Sequence, residues 1–171
     1  MDYLVLHAPR ISQYLEQPFS DGFTTLDHIA RRIEMLRPML SSPVPVYVLS
    51  ADRPRRNAVP ESWNIVDVEN DGATDPSSAT AFRALDTALP PEEGTVLLSA
   101  LDAPFFDVVL ARYLHILHRQ AWCDYTFGDG FPVGYSVEML RRGVLSSLGQ
   151  LAEAASQPWT RSFVFDALSS D

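Results

Sequence analysis

The segment Gly94-Thr95-Val96-Leu97-Leu98-Ser99-Ala100-Leu101 is apolar almost without interruption, where a half-exposed strand would alternate. This feature constrains the fold more than any other. A strand that is apolar on both sides must be covered on both sides, the condition of a central strand in a largely parallel sheet flanked by helices. The neighbouring segments agree with that reading. Tyr3-Leu4-Val5-Leu6, the β-branched and aromatic run 44–50, and the run 63–68 predict three further strands,. Between and after them, 26–36 places Leu26, Ile29, Ile33 and Leu36 at helical spacing behind Thr25, a residue able to cap,. The segment 79–89 reads as a helix stopped by Pro90-Pro91, and 106–120 as a long amphipathic helix with Val109, Tyr113, Ile116 and Leu117 near one face,. Asp124-Tyr125-Thr126-Phe127, a glycine-rich turn, the segment 132–140 and a helix over 141–155 follow. The run 160–165 is read as a last strand.

Alternating strands and helices imply right-handed crossovers and a three-layer α/β/α sandwich with a mostly parallel central sheet. At 171 residues the chain suits one domain over 1–171 with one core. No stretch approaches the ~18 apolar residues of a membrane span. The start of the chain lacks a basic segment and a long apolar run, so a cytoplasmic location is expected. The single cysteine, Cys123, excludes an internal disulfide and a cysteine cluster for zinc,. With a net charge of -9, broad contacts with nucleic acid or an anionic membrane are not expected. All the basic side chains are arginines, which excludes Schiff-base chemistry and a P-loop lysine.

Sites in such sheets lie where the strands end at their carboxyl edge. Three loops there carry polar residues: His7 to Arg10, Ser50 to Arg56, and Asp102. A carboxylate just past a fully apolar strand can hold a divalent cation that bridges phosphate oxygens, and Asp102 is the foremost candidate. A helix N-cap would explain the same residue equally well.

The order of short motifs in the second half resembles the cytidylyltransferases that make CMP-activated acidic sugars, including the spore-coat polysaccharide type. The matching residues are Leu98-Ser99-Ala100-Leu101-Asp102-Ala103-Pro104-Phe105, then Asp124-Tyr125, then Pro132-Val133-Gly134-Tyr135-Ser136-Val137-Glu138. The resemblance implies a nucleotide-diphospho-sugar transferase-like fold. It also implies transfer of a cytidylyl group from CTP to a sugar acceptor, with release of pyrophosphate and with Mg2+ as cofactor. By the same resemblance Asp102 and Arg10 are the catalytic candidates, Asp102 as metal ligand and Arg10 on phosphate. His7, Ser50, Asp52, Gly134 and Glu138 become substrate-binding candidates, Asp166 a guess for a second metal ligand, and Phe131 to Tyr135 a contact surface for a homodimer. For Glu138, stabilisation of a helix N-terminus is an equal alternative.

The first half departs from the family pattern. Its loop, His7-Ala8-Pro9-Arg10, lacks the glycines and the lysine that cradle a triphosphate,. A second reading therefore stands beside the enzyme: a catalytically degenerate domain of the same fold, acting as a binding or assembly module, on its own or within a larger protein. Other polar groups read as structural. His115 and His118 are taken as solvated helix residues, Cys123 as a small buried hydrophobe, and Arg53, Arg55 and Arg56 as a solvated loop that could also form an anion pocket.

Overall fold

The computed structural model describes residues 1–8, 13–40, 44–50, 59–68, 78–132, 134–155 and 160–169. Six strands form one sheet: β1 (Asp2–Ala8), β2 (Val46–Ser50), β3 (Asn64–Asp67), β4 (Thr95–Ala100), β5 (Tyr125–Thr126) and β6 (Glu138–Arg141). Their order across the sheet is β3-β2-β1-β4-β6-β5. β1 pairs in parallel with both β2 and β4, and β2 pairs in parallel with β3. β6 runs antiparallel to β4 and to β5. The continuously apolar strand thus lies inside the sheet, between β1 and β6.

The pleat of β1 explains the two-sided burial. Leu4, Leu6 and Ala8 point into one core with α1 (Thr25–Leu36) and α3 (Val108–Ala121); Tyr3 and Val5 point into the other,. The second core is closed by Phe82 and Leu85 of α2 (Ser78–Ala88), Leu145 and Leu148 of α4 (Leu145–Ala155), and Phe163 and Val164 of α5 (Arg161–Ser169). The three-layer arrangement expected from the apolar runs is the observed one.

Local chemistry sets the ends of the helices. Thr24, one residue earlier than expected, caps α1: its hydroxyl accepts from the Asp27 amide at 3.1 Å, and Asp27 accepts from the Thr24 amide at 2.8 Å,. The Thr24 amide, and then the Thr24 hydroxyl that also donates to Asp27 Oδ2 at 2.8 Å, hold the Asp27 carboxyl below its ordinary pKa. At the other end of α2, the buried Arg142 guanidinium donates to the carbonyls of Asp86, Leu89 and Pro90 and to the Asp86 carboxylate. It closes carbonyls that a helix end leaves open.

Three local expectations change. The segment 160–165 is not a strand: α5 begins at Arg161, and Thr160 Oγ1 accepts from the Phe163 amide at 3.2 Å. Phe163, Val164, Ala167 and Leu168 all pack toward the core. That spacing is helical, since a strand would alternate. The apolar face of α3 named above points outward, with Val109 71% and Tyr113 58% exposed. The face turned to the sheet carries Val108, Ala111, Leu114, His115 and His118. Both histidines are therefore buried rather than solvated. His115 Nε2 lies 3.0 Å from Asp2 Oδ2, and His118 Nδ1 lies 2.9 Å from Thr126 Oγ1.

Candidate functional site

Because β1 and β4 are parallel and in register, His7 stands opposite Ala100 at their carboxyl ends. β6 runs the other way, so Glu138 at its start sits opposite Leu98. The sheet order therefore brings residues 7 and 138 to the same edge. There a cavity of about 380 Å3 is lined by His7, Ser99, Gly134, Ser136, Glu138 and Arg161, among others. Three of the residues expected from sequence, His7, Gly134 and Glu138, share this wall.

Glu138 is not at a helix N-terminus. Tyr125 Oη donates to its Oε2 at 2.6 Å and Arg161 Nε to its Oε1 at 2.7 Å. The Arg161 guanidinium also lies 5.1 Å from the Phe127 ring centroid, a cation over an aromatic face,. Burial, then the Glu138 charge, push the Tyr125 phenol well above its ordinary pKa, so it stays a proton donor to the carboxylate,. The arrangement presents one carboxylate and one guanidinium, each with its orientation fixed by protein partners. It can accept from hydroxyls and attract an anion in the same cavity.

Gly134 has a positive φ of 79°, and an added Cβ would come within 2.9 Å of the Ala103 Cβ. The glycine lets the loop before β6 press on the turn after β4. Further bonds hold the two together: the Asp107 amide donates to the Tyr135 carbonyl at 2.8 Å, and Tyr135 Oη donates to Asp107 Oδ2 at 2.9 Å. Asp107, not Asp102, is the N-cap of α3. Its Oδ1 accepts from the Leu110 amide at 2.7 Å, the main reason its carboxyl titrates below the ordinary range,.

Asp102 is therefore free of the capping role. It is exposed on the turn that follows β4, outside the lining of the cavity. Phe105 on the same turn packs against Phe19 and His28, with centroids 5.9 and 5.2 Å apart. Ser50 ends β2 at the same edge, opposite Ala8, but is fully buried and does not line the cavity. Asp166 is exposed on α5. Arg10 and Asp52 lie outside the described residues, as do Arg53, Arg55 and Arg56. Among the described residues no group of three or more histidines, cysteines or acids could hold a metal ion.

Sequence reasoning missed Arg161, Thr160 and Tyr125. The signal for the first two was the helical spacing of Phe163, Val164, Ala167 and Leu168 behind a capping threonine, which would have set Arg161 in a first helical turn facing the sheet. Tyr125 carried no such signal, because its role depends on the pairing of β5 with β6.

No protein-family model matches the chain. An uncharacterized protein of Treponema pallidum (strain Nichols) is 33% identical over 64 residues, which is 37% of this chain and 29% of that protein. Solved structures match over nearly the whole chain. Rv0371c from Mycobacterium tuberculosis, in complex with manganese, superposes with a TM-score of 0.62 at 15% identity, covering 99% of this chain and 82% of that one. Molybdopterin-guanine dinucleotide biosynthesis protein A from Archaeoglobus fulgidus gives 0.63 at 12% identity, with 99% and 80% covered. The CMP:2-keto-3-deoxy-manno-octonic acid synthetase complexed with CTP gives 0.60 at 13%, with 99% and 83% covered. Among the described residues no helix is long and apolar enough to cross a membrane. The sheet order, the two helical layers and these superpositions agree that the chain has a nucleotide-diphospho-sugar transferase-like fold.

Proposed function

We propose that the protein is a nucleotidyltransferase that moves a cytidylyl group from CTP to a sugar acceptor. The observation that carries the proposal is the meeting of His7 with Gly134 and Glu138, from two distant parts of the chain, around one cavity at the carboxyl edge of the sheet,. An acceptor oxygen attacks the α-phosphorus; the new oxygen–phosphorus bond forms as the bond to the β-phosphate oxygen breaks, and pyrophosphate leaves. Glu138 accepts from acceptor hydroxyls on the lone pairs that Tyr125 and Arg161 leave over. Arg161 attracts an anionic group on the acceptor or on the nucleotide, a role that suits acidic sugars. Arg10 takes a phosphate contact. His7, with Asp52, completes the substrate edge, and the buried Ser50 lies beneath it at the end of β2.

The residues present fit Mg2+ as an ion carried in with the phosphates rather than one held in a protein cage. Asp102 is exposed, and one carboxylate plus substrate phosphates is a common way of holding this cation,. Asp102 would hold it, and the ion would supply neutralisation of charge on the phosphates as it develops. Positioning by the chain's own groups supplies much of the remaining rate.

One observation favours the second reading, a binding or assembly module: both Glu138 oxygens are already engaged by protein donors, and Asp102 stands outside the cavity wall. Titration of CTP with and without Mg2+, followed by tryptophan fluorescence, separates the two. The enzyme reading expects binding that needs the cation and is lost in Asp102→Ala, together with pyrophosphate release in the presence of an acidic or amino sugar. No binding at millimolar CTP leaves the module. Sedimentation of the same sample tests the homodimer through Phe131 and Tyr135, whose rings are exposed and stacked at 5.9 Å.

A further inference from the structure

The carboxyl-terminal end of α3 puts a bulky residue where the backbone favours glycine. Trp122, the C-cap, has φ 53° and ψ 35°, and among the described residues no other non-glycine residue has a positive φ. A side chain with a Cβ is strained in this left-handed region, and helices that end in it usually place glycine or asparagine there. Packing does not offset the strain, because Trp122 is 79% exposed. Strain that burial does not offset points to a use for the side chain.

That use lies beside it. Trp122 borders a cavity of about 540 Å3 at the amino edge of the sheet, where β1 and β4 begin, a size within the range of small-molecule sites,. Register dictates how the wall is built: Asp2 stands opposite Thr95, and Thr95 opposite Arg141 at the end of β6. The last turn of α3 adds His118 and Arg119. The charges of these groups narrow the choice of ligand. Arg119 Nη1 lies 4.0 Å from Asp2 Oδ2, and Arg141 Nε donates to Asp124 Oδ1 at 2.7 Å. Burial lowers the His118 pKa to about 4, so its ring is neutral at pH 7,. Each guanidinium has a carboxylate beside it, so an anion gains little here, and a cation meets two arginines. What the cavity offers is an indole at its rim and the planar faces of two guanidiniums, surfaces on which flat rings stack,.

We infer that this cavity is a second ligand site, which takes an uncharged planar heteroaromatic molecule of nucleoside size, stacked on Trp122. It is separate from the cavity of His7 and Glu138, since the two lie at opposite ends of the same parallel strands. Asp2 and His118 reach it already bonded, to His115 and to Thr126, and serve as fixed wall. Recognition rests on the ring of Trp122.

The test uses the full chain in equilibrium dialysis with adenosine, inosine and caffeine as uncharged probes, and AMP as the charged counterpart of the first. At least one uncharged probe is expected to bind saturably below millimolar concentration, with AMP no tighter than adenosine. Trp122→Ala is expected to weaken binding about tenfold, the worth of one base stacked on an aromatic ring, while Trp122→Phe keeps most of it. Trp122→Gly is expected to lose binding as Trp122→Ala does and yet to raise the denaturant midpoint, because glycine relieves the left-handed strain. Circular dichroism establishes that the variants are folded. Unchanged probe binding in Asp102→Ala, and no displacement by CTP with Mg2+, are expected whether or not the protein is a transferase; loss of the probe in either case overturns the separate site. Absence of saturation with every uncharged probe overturns the proposal, as does tighter binding of AMP. So does a Trp122→Gly variant that keeps its affinity or has a lower midpoint. A dimer that Trp122→Gly dissociates also overturns it, assigning the ring to a second copy.

Discussion

The two edges of the central sheet use polar residues in opposite ways. At the amino edge, where β1 and β4 begin, Asp2, His115 and His118 are buried and paired within the protein: Asp2 with His115 and the Thr95 amide, His118 with Thr126. Burial works against the Asp2 charge, but the His115 hydrogen bond and charge outweigh it and leave the carboxyl below its ordinary pKa. At the carboxyl edge, His7, Glu138 and Arg161 are half-buried and line an open cavity. The difference lies in how the polar groups are engaged, not in cavity size. The amino edge has the larger cavity, about 540 Å3 against 380 Å3, but its buried polar groups are locked to one another, and such groups contribute stability.

That contrast breaks if substitutions at the amino edge disturb CTP binding more than stability, and the largest stability effect is expected there. Asp2→Ala leaves the buried His115 without its carboxylate and should cost about 3 kcal/mol, read as a lower denaturant midpoint, with CTP binding by the remaining folded protein unchanged. His118 comes next. Burial, then the neighbouring His115, lower its pKa from 6.5 to about 4. The folded protein therefore resists protonation that the unfolded chain accepts. Stability from the neutral ring is complete above pH 6.5, falls as the pH drops, and is gone below about pH 4, a loss on the order of 3 kcal/mol. Denaturation at pH 7, 5.5 and 4.5 should show this slope in the wild type, flattened in His118→Gln.

At the carboxyl edge the stability effects should shrink while the binding effects grow. Gly134→Ala meets both the positive φ and the 2.9 Å approach to Ala103, so about 1 to 2 kcal/mol of stability is expected to go. CTP affinity should fall with it, as the loop lifts from the turn. Asp102→Asn, at an exposed position, should alter the melting free energy by less than about 0.5 kcal/mol while abolishing cation-dependent nucleotide binding. If Asp102→Asn instead lowers stability as much as Gly134→Ala does, the residue is structural and the contrast between the edges fails.

The candidate site was legible in the sequence to the extent that sheet position follows from composition. His7, Ser50 and Asp102 were placed at one edge because each follows an apolar run, and parallel strands end together. Gly134 enters as a substrate-binding candidate through the resemblance, and its close approach to Ala103 is visible only in the structure. Arg161 was missed because the run 160–165 reads as a strand on local propensity, against the helical spacing of Phe163, Val164, Ala167 and Leu168, and packing on α4 and β5 decides for helix. His115 and His118 were placed wrongly for a related reason. Two imidazoles on a helix look polar, yet each finds a fixed partner on a strand, and a satisfied polar group can be buried.

Taken alone, the sequence determined the layered fold, the burial of β4 and the edge where substrates are expected, because the hydrophobic effect acts on patterns visible in one dimension. Only the tertiary structure decided which way each amphipathic element turned. It set the Val109 and Tyr113 face of α3 outward, gave the N-cap to Asp107 and left Asp102 exposed, and bonded Tyr125 and Arg161 to Glu138, which with Arg161 lines one cavity. The pairing around Glu138 rests on contacts between residues 13 and 23 positions apart, and on the antiparallel insertion of β6 between β4 and β5. Neither leaves a periodic trace in the chain.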